Sequence, residues 1–305
     1  MSTAQKNTSR ALAFVGILVV VALTVFGGYG LKRLYSSDDP AVSGRTATSN
    51  DRFVVATVPH IASWLENILP DTITIKVLAT GDAHDFALTP QTISATENAL
   101  AIMANGAGLE EAWLPEIAAA APSVPIIETA GDAVVVGDDP HTWLDPLTAS
   151  QQVDLAAREL AKLIPTDATY ILEQARRYRL TIERLDEGLQ EQRSQVESKS
   201  FVALHDAFGY FARRYDLAQV GELVERPGDS PTFADIQSLS QTIANLGITT
   251  IFVEPGAVPD VVRAIAQELD LTIATLDTLE SLDPKAEAYE DALLGNAKAL
   301  FGSLR

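Results

Sequence analysis

The stretch ILEQARRYRLTIERLDEGLQEQRSQV (171–196) determines how the rest of the chain is organised. Its apolar side chains recur at steps of four and three residues, which is the spacing of one face of an α-helix. The members of this stripe are Ile171, Ala175, Tyr178, Ile182, Leu185, Leu189 and Val196. Capping residues at 165–167 precede the stripe. We therefore predict a linking helix over residues 166–198, about 45 Å long.

A helix of this length is unusual inside a single domain. It could form a coiled-coil arm, or it could pack on two lobes at once. We favour the second interpretation, because the stripe is short and short β-rich runs alternate with helical stretches on both sides of it. The sequence therefore predicts an α/β protein with two lobes, residues 52–165 and 199–305. Each lobe is expected to hold a mostly parallel β-sheet flanked by helices.

The predicted strands are short runs rich in β-branched and aromatic residues. In the N-terminal lobe they are Phe53–Val58, Ile73–Leu78, Ala99–Met103 and Pro125–Glu128. In the C-terminal lobe they are Phe201–Leu204, Thr249–Val253 and Thr272–Leu276.

The N-terminus carries a hydrophobic segment, residues 11–31, that contains no charged side chain. As a helix it would measure about 31 Å, close to the thickness of a bilayer core. We predict an uncleaved membrane anchor rather than a cleaved signal, because no good cleavage site follows the apolar run. Residues 1–10 would then be cytoplasmic, and residues 32–51 would form a flexible tether. Both interpretations place the two lobes outside the plasma membrane, either anchored to its outer face or secreted.

Composition excludes several classes of function. The chain has a net charge of −19, and its first 50 residues are net basic, so the remainder carries about −22 and repels nucleic acid. It contains no cysteine, which excludes disulfides, thiolate zinc sites, thiol catalysis and a lipidated cysteine. Any metal bound by this chain must be held by nitrogen and oxygen atoms.

Three of the four histidines lie where strands or turns end. His84 follows the strand Ile73–Leu78, His205 follows Phe201–Leu204, and His141 lies in a turn before a helix. Asp277 similarly ends the strand Thr272–Leu276. Ligands of open α/β sheets bind outside the carboxyl ends of the strands. A site between the two lobes could therefore use all four side chains.

Three imidazoles and one carboxylate suit a tetrahedral zinc ion. A closed shell of protein ligands favours binding over catalysis, and three nitrogen ligands favour zinc over manganese. Two other residues remain open as site residues: His60 follows the first strand, and Glu254 ends a strand and is the chief rival of Asp277. Carboxylates next to the candidate ligands are candidates for orienting the imidazoles. They are Asp85, Asp145 and Asp206.

Several motifs together resemble the zinc- and manganese-binding solute-binding proteins of bacterial ABC importers, and the resemblance covers about residues 53–304. The two most specific motifs are DPHTWLDP (139–146) and LHDAFGYFARRYDL (204–217). The others are GDAHDFALTP (81–90), NGAGLEEAWLPEI (105–117), the Ser230-Pro231 turn, IFVEP (251–255) and TLDTL (275–279).

This resemblance implies two lobes joined by one long helix, with a metal ion buried between them. By position it implies the ligands His84, His141, His205 and Asp277. Members of the zinc type have histidine at the third position, as here, whereas members of the manganese type often have glutamate. The stretch GDAVVVGDDP (131–140) departs from the family, because many members carry a histidine- and acid-rich loop there.

We therefore predict high-affinity capture of Zn²⁺ outside the membrane and its delivery to the permease and ATPase of an ABC importer. The protein would act as a monomer, bind no nucleic acid and catalyse no reaction. An alternative within the family is Mn²⁺ or Fe²⁺ as cargo. Alternatives from other classes are a surface metallohydrolase, which needs an open coordination position and a general base, and an adhesin.

Overall fold

The N-terminal lobe alternates strands with helices, as the sequence predicts. The computed structural model describes residues 52–84, 86–131, 137–224, 231–256, 258–285 and 287–304. The strands of this lobe are β1 (Phe53–Ala56), β2 (Thr74–Val77), β3 (Ile102–Ala104) and β4 (Ile126–Glu128). Its helices are α1 (Pro59–Ile68), α2 (Pro90–Ser94), α3 (Leu114–Ala120) and α4 (Pro146–Leu163), with a short 3₁₀ helix at Thr142–Leu144.

The C-terminal lobe follows one long helix, α5 (Ala168–Arg193), which occupies the stretch predicted as the linking helix. The strands of this lobe are β5 (Ser200–His205), β6 (Ala218–Val224), β7 (Thr250–Val253) and β8 (Thr272–Thr275). Its helices are α6 (Gly209–Arg214), α7 (Phe233–Leu246), α8 (Asp260–Leu269) and α9 (Ala288–Ser303).

The two sheets repeat one topology. The strand order is β2-β1-β3-β4 in the first sheet and β6-β5-β7-β8 in the second. All six strand pairings among the described residues are parallel. Each sheet therefore has its carboxyl edge on one side, where loops from β1, β3 and their neighbours can form a ligand site. The predicted fold of two parallel-sheet lobes joined by a long helix is confirmed.

Strand β6 was not predicted from the sequence. Its residues AQVGELV include Gly221, and a glycine inside an apolar run weakens the strand signal. The structure gives the reason for this glycine. A Cβ built on Gly221 would lie 2.9 Å from Cδ1 of Leu239 on α7, so helix and strand pack too closely for a side chain.

The linking helix packs against both lobes and against α4, which precedes it. Its predicted apolar stripe is buried, including Ile171, Ile182 and Leu189, and it contacts α1 of the first lobe and α9 of the second. A single buried apolar cluster runs from Val54 through this stripe to Leu304. The two lobes therefore share one core across the linking helix.

A salt bridge joins the linking helix to the C-terminal lobe. Arg214 Nε on α6 donates to Asp186 Oδ1 at 2.8 Å, and the hydroxyl of Tyr215 donates to the same oxygen at 3.1 Å. Arg214 Nε also lies 3.9 Å from Asp145 Oδ1, the N-cap of α4. One guanidinium therefore connects residues of both lobes and the linking helix.

The predicted cytoplasmic segment 1–10, anchor 11–31 and tether 32–51 lie outside the described residues. Among the helices that the structure describes, none combines the length and the apolar character needed to cross a bilayer.

Shortening a buried side chain of the linking helix should destabilise the protein. Ile182 is fully buried, so Ile182→Ala should lower the free energy of unfolding of the metal-free protein by about 2–5 kcal/mol through lost burial and a residual cavity. Urea denaturation followed by circular dichroism measures this change. The matched control is Leu180→Ala, because Leu180 is 38% exposed and should cost only about 0.5 kcal/mol. Equal losses in the two variants would contradict the packing described here.

Candidate metal centre

The three histidines predicted as ligands converge. The ring centroids lie 5.5 Å apart for His84 and His141, 6.4 Å for His84 and His205, and 5.1 Å for His141 and His205. One ring nitrogen from each lies within 4.8 Å of the other two, which is the spacing of three ligands around one ion. His141 and His205 are 1% and 2% exposed. The first two histidines come from the N-terminal lobe and the third from the C-terminal lobe.

Local structure delivers each histidine to this point. His84 follows β2 in a turn that begins at Gly81, where φ is +124° and a side chain would be strained. The amide of His84 donates to Asp82 Oδ1 at 2.9 Å, which closes the turn. His205 is the last residue of β5, a central strand, and His141 immediately precedes the 3₁₀ helix.

Carboxylates hold two of the three rings. His141 Nδ1 lies 2.8 Å from Asp139 Oδ1, and His205 Nδ1 lies 2.9 Å from Glu254 Oε1. An ionised carboxylate only accepts hydrogen bonds, so these contacts favour the tautomer with the proton on Nδ1 and the lone pair on Nε2. Carboxylates commonly orient metal-binding histidines in this way.

The position of Nε2 of His141 fits a metal ligand. Nε2 of His141 is buried and has no hydrogen-bond partner among the described residues. A buried polar atom without a partner costs free energy, and a bound cation removes that cost. Neutral imidazole nitrogens are ligands that zinc prefers. The donor set therefore fits Zn²⁺.

Asp277, the predicted fourth ligand, does not join the group of three histidines within 4.8 Å. Its Oδ1 accepts a hydrogen bond from the amide of Leu279 at 2.7 Å. Burial raises the pKa of Asp277, the bond from Leu279 opposes that shift, and repulsion from Glu254 adds to it. Asp277 is thus near the site without being among the convergent ligand atoms, and its assignment stays a prediction.

Sequence reasoning did not select Glu280, which the structure places beside the loop that carries His84. Its carbonyl oxygen accepts from the amide of Gly81 at 2.8 Å, and its Oε1 accepts from the amide of Ala83 at 3.4 Å. Glu280 is 1% exposed. Burial raises its pKa to about 8, and repulsion from Glu254 and Asp82 adds to the shift. A cation nearby would stabilise the ionised form of this carboxyl.

His60 does not belong to the group of three convergent histidines. It is fully buried, and its ring stacks on Trp143 with centroids 4.1 Å apart and planes 15° apart. Burial lowers the pKa of His60, and the neighbouring His141 lowers it further. Asn105 lies close to the ring but makes no hydrogen bond of ordinary geometry with either nitrogen. In this position His60 packs as an aromatic support against Trp143.

The three carboxylates suggested from the sequence as partners of the imidazoles have other positions. Asp145 caps α4 through the amide of Leu147, and Asp206 is exposed. Asp85 lies outside the described residues. The carboxylates that contact the rings are Asp139, two residues before His141, and Glu254, at the end of the strand beside β5. The parallel pairing of β5 with β7 brings Glu254 to His205, and one sequence alone did not identify that pair.

Comparison with known proteins identifies zinc-uptake and zinc-binding proteins as relatives of this chain. The family profile described as "Zinc-uptake complex component A periplasmic" matches residues 54–302. The chain is 29% identical over 170 residues to the high-affinity zinc uptake system protein ZnuA of Bacillus subtilis, covering 54% of this chain and 53% of that protein. It is 26% identical over 274 residues to the zinc-binding lipoprotein AdcA of Streptococcus pneumoniae serotype 4, covering 81% and 54%. The matches thus span about half the length of these relatives.

A solved structure shares the fold. The laminin-binding protein of Streptococcus agalactiae, described as having adhesin and metal-transporting activity, superposes with a TM-score of 0.76 at 25% identity. The alignment covers 83% of this chain and 100% of that protein.

The raised pKa of Glu280 makes a testable prediction for the metal-free protein. Between its ordinary value of 4.5 and its folded value of about 8, the folded state keeps a proton that the unfolded state releases. Stability should therefore fall as pH rises through this window, by at most about 1.4 kcal/mol per pH unit from this group. Glu280→Gln has no ionisable group at this position. Between pH 5 and 8 its free energy of unfolding should therefore increase relative to that of the parent protein.

Urea denaturation of both proteins across this pH range, with a chelator present, measures the difference. The two proteins should differ least at the acid end of the range, because below pH 4.5 Glu280 is mostly protonated in both the folded and the unfolded state. Parallel pH profiles would show that Glu280 ionises normally in the folded state.

Proposed function

Because the chain belongs to the family of periplasmic zinc-uptake component A proteins, we propose that it captures Zn²⁺ outside the membrane and delivers it to the permease and ATPase of an ABC importer. The observation that supports this proposal most directly is the convergence of His84, His141 and His205, with ring nitrogens within 4.8 Å of one another. Zinc is the cargo, so no chemical step is required of the protein. The family is one of solute-binding proteins for metal uptake, and we propose no catalytic activity.

The donor set supports a preference for zinc over manganese as the cargo. The convergent ligands are three nitrogens, whereas manganese prefers more oxygen ligands. On affinity order alone, an N/O site binds Zn²⁺ more tightly than Mn²⁺ or Fe²⁺. We therefore propose Zn²⁺ as the physiological cargo, with Mn²⁺ or Fe²⁺ as the alternative that a competition titration at fixed pH would detect.

We also propose that residues 11–31 keep the protein at the outer face of the plasma membrane. The relative AdcA of Streptococcus pneumoniae is called a lipoprotein, but this sequence has no cysteine to lipidate. An uncleaved apolar helix joined to the lobes by the tether 32–51 would serve the same purpose. In this proposal the two metal-binding lobes are residues 52–165 and 199–305. The protein functions as a monomer.

A carboxylate of the segment Asp277–Glu280 completes the site in this proposal. The sequence predicts Asp277, whereas burial favours Glu280, since its carboxyl is 1% exposed and lies against the loop of His84. Asp277 Oδ1 is already engaged by the amide of Leu279. Either carboxylate would lower the charge of the zinc site to about +1.

Zinc should stabilise the folded protein against heat. At a free Zn²⁺ concentration 100 times Kd, binding adds about 2.7 kcal/mol and should raise Tm by about 5–10 °C. His205→Ala should remove most of this shift, because one of the three nitrogen ligands is lost. Differential scanning fluorimetry with and without Zn²⁺ measures both.

Asp206→Asn is the matched control for this experiment. Asp206 neighbours His205 in the chain but is exposed and lies outside the convergent group, so the variant should keep the full shift. If His205→Ala keeps the shift of the parent protein, His205 is not a ligand.

The identity of the carboxylate ligand can be decided with two isosteric variants. We expect Glu280→Gln to weaken Zn²⁺ binding more than Asp277→Asn, and by more than the roughly 10–100-fold typical of residues that only orient ligands. Competition with a chromophoric chelator gives the two dissociation constants. A larger loss in Asp277→Asn would instead support the ligand predicted from the sequence, and equal small losses would exclude both.

A further inference from the structure

His141 depends on side chains for its position. It belongs to neither a strand nor an α-helix, and its ring must still meet two histidines from other elements. Asp139 orients the ring, but Asp139 precedes it in the same loop and cannot fix that loop in the lobe. The residues that fix the loop must come from the sheet or from a helix.

Asn105 is one such residue. It follows β3, is fully buried, and uses its carboxamide in three directions. Its Nδ2 donates to the carbonyl oxygen of Pro140 at 3.0 Å and to that of Gly106 at 2.9 Å. Its Oδ1 accepts from Gln152 Nε2 at 3.2 Å. Asn105 thus holds the residue directly before His141.

Gln152 holds Thr142, the residue directly after His141. It lies on α4, is 1% exposed, and its Oε1 accepts from the hydroxyl of Thr142 at 3.2 Å. Its Nε2 donates to Asn105 Oδ1 and to Thr129 Oγ1, both at 3.2 Å. The donors and acceptors of the two amides are therefore mutually consistent, which fixes the orientation of both side chains.

Glu110 anchors this pair in the N-terminal lobe. It is 1% exposed, and its carboxylate accepts from the amide of Asn105 at 2.7 Å and from that of Gly106 at 2.9 Å. The hydroxyl of Thr57, after β1, donates to the same carboxylate at 2.6 Å. The network therefore connects the ends of β1 and β3 with the loop of His141. Buried polar networks in which every member is satisfied hold one arrangement rigidly.

We propose that the amide pair Asn105–Gln152 is the positioning element of the metal ligand His141. The pair forms hydrogen bonds with the carbonyl of Pro140 and the hydroxyl of Thr142, which flank His141 in the chain. These bonds set Nε2 of His141 at the distance from His84 and His205 that one ion requires. The two amides act through His141 and do not touch the metal. This inference rests on the proposed function, since it concerns the same zinc site.

Thr142 and Gln152 allow a test with single-group changes. Thr142→Val removes the hydroxyl and keeps the shape, Thr142→Ser keeps the hydroxyl, and Gln152→Met removes both amide hydrogen-bonding groups at similar length. We expect Thr142→Val and Gln152→Met to raise the Kd for Zn²⁺ by about 10–100-fold, as loss of a ligand-orienting partner does. Thr142→Ser should restore the affinity of the parent protein. Zn²⁺ competition with a chromophoric chelator measures each Kd.

A buried threonine outside the network provides the matched control. Thr96 is fully buried in the same lobe, and its hydroxyl donates to the carbonyl of Ile93 at 2.7 Å. Thr96→Val should lower the Tm of the metal-free protein much as Thr142→Val does, with no change in Kd. The visible absorption of bound Co²⁺ adds a readout of ligand geometry: it should change in Thr142→Val and Gln152→Met and stay as in the parent protein in Thr142→Ser and Thr96→Val.

The outcomes separate the two proposals. If the parent protein binds no Zn²⁺, the proposed function fails. If the parent binds Zn²⁺ and Thr142→Val binds it equally well, or Thr96→Val loses as much affinity, the positioning role fails while the proposed function stands. Should Gln152→Met not fold, the comparison of Thr142→Val with Thr142→Ser still decides, because these variants differ at one small side chain.

Discussion

The site depends on one local constraint: three imidazole rings from the two lobes pack so closely that one nitrogen of each lies within 4.8 Å of the other two. Protonated rings at this distance would repel one another, whereas in the neutral state Nε2 of His141 is buried without a hydrogen-bond partner among the described residues. Asp139 and Glu254 hold Nδ1 of two rings and direct Nε2 inward. In the proposed function one divalent ion takes a nitrogen ligand from each ring, and the chain contains no thiol that could compete for it.

The acidic side chains around the site belong to the same electrostatic arrangement. Burial raises the pKa values of Asp277 and Glu280, and repulsion from Glu254 adds to both shifts. A bound cation reverses this cost, because it attracts the ionised forms. Metal binding should therefore release protons from this segment, and affinity should increase with pH.

Metal binding is also connected to the contact between the lobes. Trp143, two residues after His141, donates from Nε1 to the carbonyl of Thr278 at 2.8 Å, and its own carbonyl accepts from the hydroxyl of Tyr289 at 2.8 Å. The loop of His84 is likewise bonded to Glu280. The lobes therefore contact each other beside His84 and His141 as well as through one shared apolar core.

The sequence alone was enough to predict the fold class, the linking helix and the convergence of the three histidines. A stripe such as Ile171–Ile182–Leu189 is a local periodic signal, and three rare histidines after predicted strands follow the rule that ligands gather at the carboxyl edge of a parallel sheet. Strand β6, the pairing of Glu254 with His205, the position of Glu280 and the Asn105–Gln152 pair were decided only by tertiary structure. The side chains of the pairs Asn105–Gln152 and His205–Glu254 are 47 and 49 positions apart in the sequence. The glycine of β6 is explained by the close approach of Leu239 to Gly221. Local propensity carries no information about such contacts, because they arise only when the strands are placed side by side and the helices pack on them.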